Sequence, residues 1–489
     1  MKQHKAMRRF REFLRHRQHP IKIIGYTSKT MWLLLIPLVK YLVALKFDIR
    51  SWLVTNWVDI LAIVAIFAFA VLRWVFLFFE IDDKSMTSHS GYFGLAATRL
   101  SFESVTTVCV HQSSFQRLFG AATLYIDTDA KSVSRTDIAL VLPKKRAEHI
   151  LALISDENTQ AVKYTVESKR RSQLAFSLFF SSTLSGVVIF AGLLFEASRI
   201  VDRKIEITLL NTAAGEISKY TKQIPRFIVI AALVIIGGWL LSFLANLMRY
   251  WHFSVTRHGG RLTVRSGIWT LRHDVMKRDN IYYYDVTRSL LMKLFKVCTI
   301  NVYCTGYGKS RSEIPTIAPI TTDKEVEKTL SILMPRFTRP SAMLTTGKRE
   351  IWRFICIPVV VFLFVPVLRH IAVFIFPRWV SEVNIIAFIS SVPCVWLIIV
   401  KLFAAFSTGI GFDENCCVLD YCKLYGFHRV VIRRDKITRV AILQTWAQEK
   451  KGYCSIEICT ENEKYKRHIV KHLPVDAAMS ILRTNGLAV

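Results

Sequence analysis

The sequence predicts an α+β integral membrane protein with three transmembrane helical hairpins, each followed by a small β-barrel capped by a C-terminal helix. Three observations support this prediction. The 489 residues are 52% hydrophobic, with a mean hydropathy of +0.32, which soluble globular chains rarely reach. Long apolar runs occur in pairs, and the polar stretches that follow these pairs share one pattern.

Residues 1–30 are predicted to form a basic cytoplasmic tail. The whole chain carries 66 Lys and Arg against 36 Asp and Glu, a formal net charge of +30. Nucleic-acid binders can be this basic but are rarely so apolar, and the aromatic residues form no recognisable base-stacking motif. We therefore expect no nucleic-acid partner, and the composition excludes an ordinary soluble or disordered protein.

Six apolar segments are predicted to cross the membrane as three hairpins, at residues 31–80, 173–249 and 349–406. Two of the segments run for 22 residues without an ionisable side chain, and about 20 apolar residues span a bilayer core. The first segment is the shortest, and the sequence leaves open whether it crosses fully. The six segments are 32–45, 60–79, 174–195, 227–248, 354–376 and 385–406.

Basic residues predict the orientation of the hairpins. They fill the N-terminal tail and precede the third span at Lys169, Arg170 and Arg171, and the fifth at Lys348 and Arg349. The positive-inside rule then places both termini and the three polar segments in the cytoplasm. We expect a multi-pass protein of the bacterial cytoplasmic membrane.

The three polar segments align with one another without gaps, at offsets of 176 and 156 residues. Residues 123–126 match 299–302 and 455–458, with apolar residues at every second position, which is the strand period. A turn at Gly259-Gly260 predicts a tight hairpin. Amphipathic helix signals close the segments at 143–154, 322–334 and 474–482, and the barrels are assigned to residues 81–172, 250–348 and 407–489.

This pattern resembles the bacterial pleckstrin-homology-like (PH-like) domain of YdbS-like and YdbT-like membrane proteins. The resemblance is clearest at Arg278-Asp279-Asn280-Ile281 and Leu294-Phe295. The third copy has Lys450-Lys451 where the Leu-Phe pair is expected, and the first has Ser101-Phe102 in place of Lys277-Arg278. The resemblance implies a PH-like fold for each barrel and an envelope-related role, but a fold does not supply an activity.

No enzymatic, cofactor or metal site is predicted. Residues 306–310 end like a phosphate-binding loop but lack the first glycine of that motif. Cys416, Cys417 and Cys422, with His428, lack the Cys-x-x-Cys spacing of zinc sites, so we expect them to be packed in the core. All ten cysteines lie in predicted cytoplasmic segments or spans, and disulfides are not expected there.

Two groups of ionisable residues are candidate functional sites. The first is a basic set for lipid headgroups or the membrane surface, although it could equally be solvated strand faces that follow the positive-inside rule. The second group lies inside a span and is a candidate for a polar contact between hairpins; snorkelling or hairpin pairing is its alternative. The basic set is Lys277, Arg278, Arg433, Arg434, Arg257 and Arg261, and the intramembrane pair is Arg369 and His370.

The sequence favours a non-enzymatic scaffold or sensor that binds lipid headgroups, peptides or a partner protein at the cytoplasmic face. The expected partners are anionic membrane lipids, with either a smaller related membrane protein or a second copy of the chain. A transporter or lipid-moving protein is the alternative, although the third and fourth spans have few polar residues for such a path. The uneven charge of the three barrels suggests that they do different jobs.

Overall fold

The computed structural model describes residues 17–27, 50, 54–82, 84–90, 95–128, 137–155, 163–168, 170–179, 226–304, 316–335, 337, 343–346, 350–460 and 467–487. The helices are numbered α1 (Trp57–Val75), α2 (Ser114–Leu118), α3 (Lys144–Ser155), α4 (Arg170–Phe179), α5 (Arg226–Tyr250), α6 (Leu290–Leu294), α7 (Asp323–Leu333), α8 (Ile351–Ile375), α9 (Val380–Ser407), α10 (Trp446–Glu449) and α11 (Val475–Thr484).

The strands are β1 (Phe79–Ile81), β2 (Ser85–Ser90), β3 (Ala96–Ser101), β4 (Val105–Ser113), β5 (Ala121–Thr128), β6 (Ile138–Pro143), β7 (Lys163–Glu167), β8 (Ser254–His258), β9 (Arg261–Ser266), β10 (Thr270–Lys277), β11 (Ile281–Ser289), β12 (Val297–Cys304), β13 (Thr316–Thr322), β14 (Leu344–Thr345), β15 (Gly409–Phe412), β16 (Cys416–Lys423), β17 (Gly426–Arg433), β18 (Ile437–Leu443), β19 (Tyr453–Thr460) and β20 (Arg467–Pro474).

Four helices of the described chain, α1, α5, α8 and α9, are long and apolar enough to cross a membrane, as expected of a membrane-associated protein. Helices α8 and α9 are joined only by the short turn Pro377–Trp379, so they form a hairpin. The predicted span 32–45 lies outside the described residues, and the span 174–195 is described only to Phe179. The other two predicted hairpins therefore remain predictions.

The second predicted span was placed too far along the chain. Helix α1 ends at Val75, whereas the span was predicted to reach residue 79. Phe79 instead opens strand β1 and is fully buried in the core of the β-structure that follows. Hydropathy does not separate the end of a span from the start of a buried strand, because both are continuous apolar runs.

The strands form three β-segments, which we define as residues 79–155, 254–334 and 409–487. Each begins directly after an apolar helix, α1, α5 or α9. Each has a first half-sheet of three strands, a 3-10 turn and a second half-sheet of three strands. The closing helices α3, α7 and α11 end the segments and confirm the predicted helix positions.

The half-sheets of neighbouring segments are joined, which the prediction of separate barrels did not anticipate. One seven-stranded sheet has the order β6-β5-β4-β10-β9-β8-β7, and a second has the order β13-β12-β11-β17-β16-β15-β14. The second half-sheet of one segment therefore continues into the first half-sheet of the next. Three-stranded sheets, β1-β2-β3 and β18-β19-β20, remain at the two ends.

Neighbouring segments also contribute to one another's cores. Val275 of the second segment packs into the core of the first, and Val431 of the third packs into the core of the second. In the other direction, Tyr283 of the second segment packs into the core of the third. Burial of apolar side chains across the boundaries stabilises the segments jointly.

Two glycine turns position the second segment. Gly259 has a φ of 55° and closes the predicted β8–β9 hairpin. Gly267 has a φ of 99°, and a Cβ atom there would lie 2.0 Å from the carbonyl oxygen of Thr270. The N–H of Gly267 donates to Trp251 O at 2.8 Å, and the next N–H, of Ile268, donates to Met248 O at 2.9 Å. The β9–β10 turn is thus fixed against the end of helix α5.

Candidate functional site

The boundaries between segments are built alike. We call the β4–β10 pair joint 1 and the β11–β17 pair joint 2. Strands β4 and β11 start 176 residues apart, and β10 and β17 start 156 residues apart. In joint 1 Val275 lies opposite Val108, and in joint 2 Val431 lies opposite Tyr284, which is the same register counted from the strand starts. The two joints therefore bring equivalent positions together.

A buried histidine–aspartate pair crosses each joint. His111 Nε2 lies 2.8 Å from Asp274 Oδ1 in joint 1, and His428 Nδ1 lies 2.7 Å from Asp285 Oδ2 in joint 2. Burial alone would raise the pKa of Asp274, but the charge and hydrogen bond of His111, together with the charge of Arg272 and a hydrogen bond from Cys109, hold that pKa below its usual value. Both pairs connect residues of different segments, so they help to hold the half-sheets of neighbouring segments together.

Joint 1 also contains a group of atoms that could hold a metal ion. Ligand atoms of Cys109, His111 and Asp274 lie within 4.8 Å of one another. The sequence did not predict this group, because Asp274 lies 163 residues after His111. The charge of Arg272 also acts on Asp274, and a nearby cation opposes metal binding. Joint 2 has Asp285 where joint 1 has Cys109, so the shared feature is the histidine–aspartate pair rather than a ligand set.

Joint pocket 1 is a cavity of about 620 Å³ between helix α3 and strands β9 and β10. It opens beside the end of helix α5, because His252 and Gly267 are among its lining residues. Glu148, the acidic residue of the lining, lies 3.8 Å from the Lys144 Nζ. The basic residues of the lining are Lys144, His252, Arg265, Arg272 and His273.

Joint pocket 2, of about 350 Å³, lies at the equivalent place in the second joint. Phe406 and Ser407, the last residues of helix α9, are part of its wall. Asp420 accepts two hydrogen bonds from the Arg429 guanidinium, at 2.8 and 2.7 Å. The basic residues of this lining are Arg288, Lys293, His428 and Arg429, so cations outnumber anions in both pockets.

Lys293 connects joint pocket 2 to the end of helix α9. Its Nζ donates to Ser407 Oγ at 2.6 Å and lies 4.5 Å from the centre of the Phe427 ring. Burial, followed by the positive charge of Arg288, lowers the pKa of Lys293. Since Arg288 Nη2 donates to Asp323 Oδ1 at 2.7 Å, an anion in the pocket would interact chiefly with Lys293, because opposite charges attract strongly where water is partly excluded.

Exposed apolar residues lie in the turns and short helices next to residues that line both pockets. At joint 1, Arg117 Nη2 donates to Ile268 O at 2.8 Å, which holds helix α2 beside the turn that contacts the end of α5. Leu118 is 82% exposed in the first segment, and Leu294 is 73% exposed at the equivalent place in the second. Apolar and aromatic side chains next to a span end are typical of the membrane interface. The exposed set is Leu118, Phe119, Ile268 and Trp269 at joint 1, and Leu294, Phe295, Leu424 and Tyr425 at joint 2.

The basic residues predicted from sequence are not gathered in one site. Arg261 Nη1 donates to Ile154 O at 2.7 Å, and Arg257 Nη1 donates to Ile332 O. These carbonyls lie at the ends of closing helices, where no helical N–H is available to them. Each arginine thus connects a closing helix to a strand.

Lys277 and Arg433 also connect neighbouring segments. Lys277 Nζ donates to Glu103 O at 2.7 Å, and Arg433 Nη1 donates to Asp279 O at 2.8 Å. Arg434 donates to Asn485 O within the third segment, and Arg278 N–H donates to Gly260 O. Whether any of the six binds a headgroup remains a prediction.

The intramembrane pair makes contacts within one hairpin. Arg369 Nε of helix α8 donates to Asn384 Oδ1 of helix α9 at 2.7 Å. His370 Nδ1 lies 2.8 Å from Pro366 O of its own helix. The described contacts therefore lie within one hairpin, which corresponds to the hairpin-pairing alternative and not to a contact between two hairpins.

Sequence reasoning missed Lys293, Arg288 and Arg429 as parts of one pocket. Arg429 lies on a strand more than 100 residues away from the other two, and only the pairing of β11 with β17 brings them together. One signal was available. Lys293 aligns with Arg117 in the repeated basic-Leu-Phe motif, so a basic side chain beside an exposed apolar pair could have been recognised.

The sequence model of one protein family, described as the bacterial PH domain, matches residues 32–158 and 189–333, together more than half of the chain. A search of curated proteins found no match.

Proposed function

The chain belongs to the bacterial PH domain family, and on that premise we propose that it is a membrane-anchored binding protein without catalytic activity. Its joint pockets bind the phosphate-bearing headgroups of anionic lipids. One observation carries the proposal: each joint opens a pocket with an excess of cations at the place where an apolar helix ends.

The position of the pockets suits a lipid better than a soluble anion. A lipid whose acyl chains lie beside α9 would present its headgroup at Ser407, within reach of Lys293. The exposed apolar residues next to each pocket would enter the interfacial region of the bilayer, where aromatic residues are favoured. Each basic residue near an anionic surface contributes on the order of 1 kcal/mol to binding.

The topology that accompanies this function has three hairpins, with the β-segments on the cytoplasmic face of the bacterial membrane. The basic N-terminal tail supports this orientation. Since the two joints hold the segments in a fixed order, lipid occupancy of the pockets could be transmitted along the sheets to a bound partner. We infer that the protein acts as an envelope-related scaffold or sensor.

The test is to measure which lipids remain bound to the full chain purified in detergent, using native mass spectrometry after incubation with phosphatidylglycerol or phosphatidylcholine. We expect preferential retention of phosphatidylglycerol by the wild type. Lys293→Gln should lose a large part of this preference, because it removes a pocket cation at similar side-chain length. Lys324→Gln, on the exposed face of helix α7, is the matched control.

Competition with inorganic phosphate distinguishes a lipid headgroup from free phosphate as the anion in the pockets. A lipid site is supported if phosphatidylglycerol stays bound when inorganic phosphate is added. Equal retention of the two lipids by the wild type would show that the chain does not select anionic headgroups. Equal effects of Lys293→Gln and Lys324→Gln would show that the preference does not come from joint pocket 2.

A further inference from the structure

Strand β18 is the third-segment equivalent of the two strands that form joints. Strands β4, β11 and β18 all follow a 3-10 turn and all have a register irregularity after their first residue. Strands β4 and β11 pair on both sides, whereas β18 is an edge strand within the described residues. Arg439 and Leu443 of β18 are exposed, whereas the central residues of β4 and β11 are buried.

Within the described residues, the core of the third segment lacks the valine that each of the other two cores receives from the following segment. A valine of the following segment, Val275 or Val431, completes the core on the inner side of β4 or β11. The inner side of β18 presents Val440 and Ile442, which are only partly buried. An incoming strand in the same register would place an aliphatic side chain opposite Val440.

Strand β3 of a second copy does not suit this edge. Counted back from the last residue of each strand, Arg99 of β3 has the position of Val275 in β10 and Val431 in β17. Its pairing with β18 would direct an arginine toward the apolar side of the third segment, and charges at such positions are a means of preventing edge pairing. The chain is therefore not built to continue itself from end to end.

Charge favours a strand of the β10 type instead. Asp274 of β10 lies opposite Cys109, and Ala441 is the β18 equivalent of Cys109. A carboxylate opposite Ala441 would lie diagonally across from Arg439, within reach of a long side chain. Arg439 stands where β4 has Thr107 and β11 has Tyr283, so a complementary carboxylate suits this edge.

We propose that β18 is a docking edge for a strand of another protein, in which a carboxylate is followed directly by an aliphatic residue. The donor is the first half-sheet of a second protein of the bacterial PH domain type, and it pairs antiparallel as β10 and β17 do within this chain. Each β-segment follows an apolar helix directly, so a donor built in the same way would dock from within the same membrane. This pairing is independent of the lipid pockets.

The test uses the full chain in detergent and a labelled peptide with the sequence of residues 268–280, which contains β10. Binding is measured by fluorescence anisotropy for the wild type and Arg439→Glu, each with the native peptide and a peptide carrying Asp274→Lys. We expect the wild type to prefer the native peptide by about two- to fivefold and Arg439→Glu to prefer the lysine peptide, because a cross-strand charge pair is reversed. Such a reversal shows that the peptide binds at β18. If the peptide instead took the place of β10 in joint 1, its binding would not depend on residue 439.

A second measurement does not depend on affinity. Ala441→Cys should form a disulfide with a peptide that carries Asp274→Cys, since these residues are opposite in the proposed register. Three results would overturn the proposal: no saturable binding of either peptide, the same preference in both chains, or tighter binding of a peptide with the sequence of β3. The last would identify a second copy as the occupant.

Discussion

His468 makes the stability of the third β-segment dependent on pH. Its side chain is 2% exposed, its Nδ1 lies 3.0 Å from the Tyr421 hydroxyl, and its ring packs edge-on against Tyr283 at 4.8 Å. Within the described residues its Nε2 has no hydrogen-bond partner. Burial lowers the pKa of His468 to about 4, although the negative charge of Asp285 opposes this change.

The direction and size of the effect follow from the two pKa values. The unfolded chain binds a proton at His468 near pH 6.5, whereas the folded chain does so only near pH 4. The free energy of unfolding therefore falls as the pH decreases from about 6.5 to 4, and it should be about 2 kcal/mol lower at pH 5 than at pH 7. His472 has its pKa lowered to about 4 by burial, but its partial exposure makes its contribution smaller.

The assay is hydrogen exchange of strands β19 and β20 in the full chain at pH 7 and pH 5, corrected for the intrinsic pH dependence of exchange. Protection in the wild type should fall by about 30-fold, the equivalent of 2 kcal/mol. His468→Gln can keep a bond to Tyr421 but does not titrate, so it should lose much less protection. His149→Gln, at an exposed position of helix α3, is the control. Equal losses in the wild type and His468→Gln would refute the reasoning.

Two further predictions concern the joints. Gly267→Ala should destabilise the chain by about 2 kcal/mol, because the added Cβ atom meets the carbonyl of Thr270 and the φ is positive. Gly260→Ala is the control and should cost much less, since open space surrounds its added atom. Thermal unfolding measures both variants. His111→Ala should cost about 3 kcal/mol because it leaves the buried Asp274 carboxylate without its partner. Removal of His111 takes away the largest contributions that oppose the effect of burial, so the pKa of Asp274 is higher in the variant than in the wild type. The variant carboxylate therefore takes up a proton at a higher pH, and the loss should be largest at high pH and diminish as the pH falls. A loss that grows as the pH falls would contradict the assignment.

Local patterns in the sequence predicted the elements of this fold but not their partners. Alternating apolar residues identified the strands, and the signals at 143–154, 322–334 and 474–482 identified the closing helices. The same alternation shows that Val275 is buried, but it does not show in which core. That depends on the pairing of β10 with β4, a contact between residues far apart in sequence. Intrachain periodicity does not encode such a contact.

The candidate site was less predictable for the same reason. Basic residues such as Arg257 and Arg261 drew attention because they are clustered in sequence, and in the structure they bind helix-end carbonyls. Lys293 and Arg429 line one pocket only because β11 lies beside β17. A pocket formed between repeats has no contiguous motif, so its residues become recognisable only when equivalent positions of the two joints are compared.

The shared sheets impose an order on synthesis at the ribosome. His111 and Asp274, which meet in joint 1, are separated by 163 residues, and translation of that length takes on the order of ten seconds or more. During this interval the edge of β4 that faces β10 has no native partner, while the chain that includes helix α5 is still being made. Synthesis of the second segment as far as β10 must therefore precede completion of the first segment. An arrest before β10 would leave an exposed edge strand for chaperones or proteases to recognise.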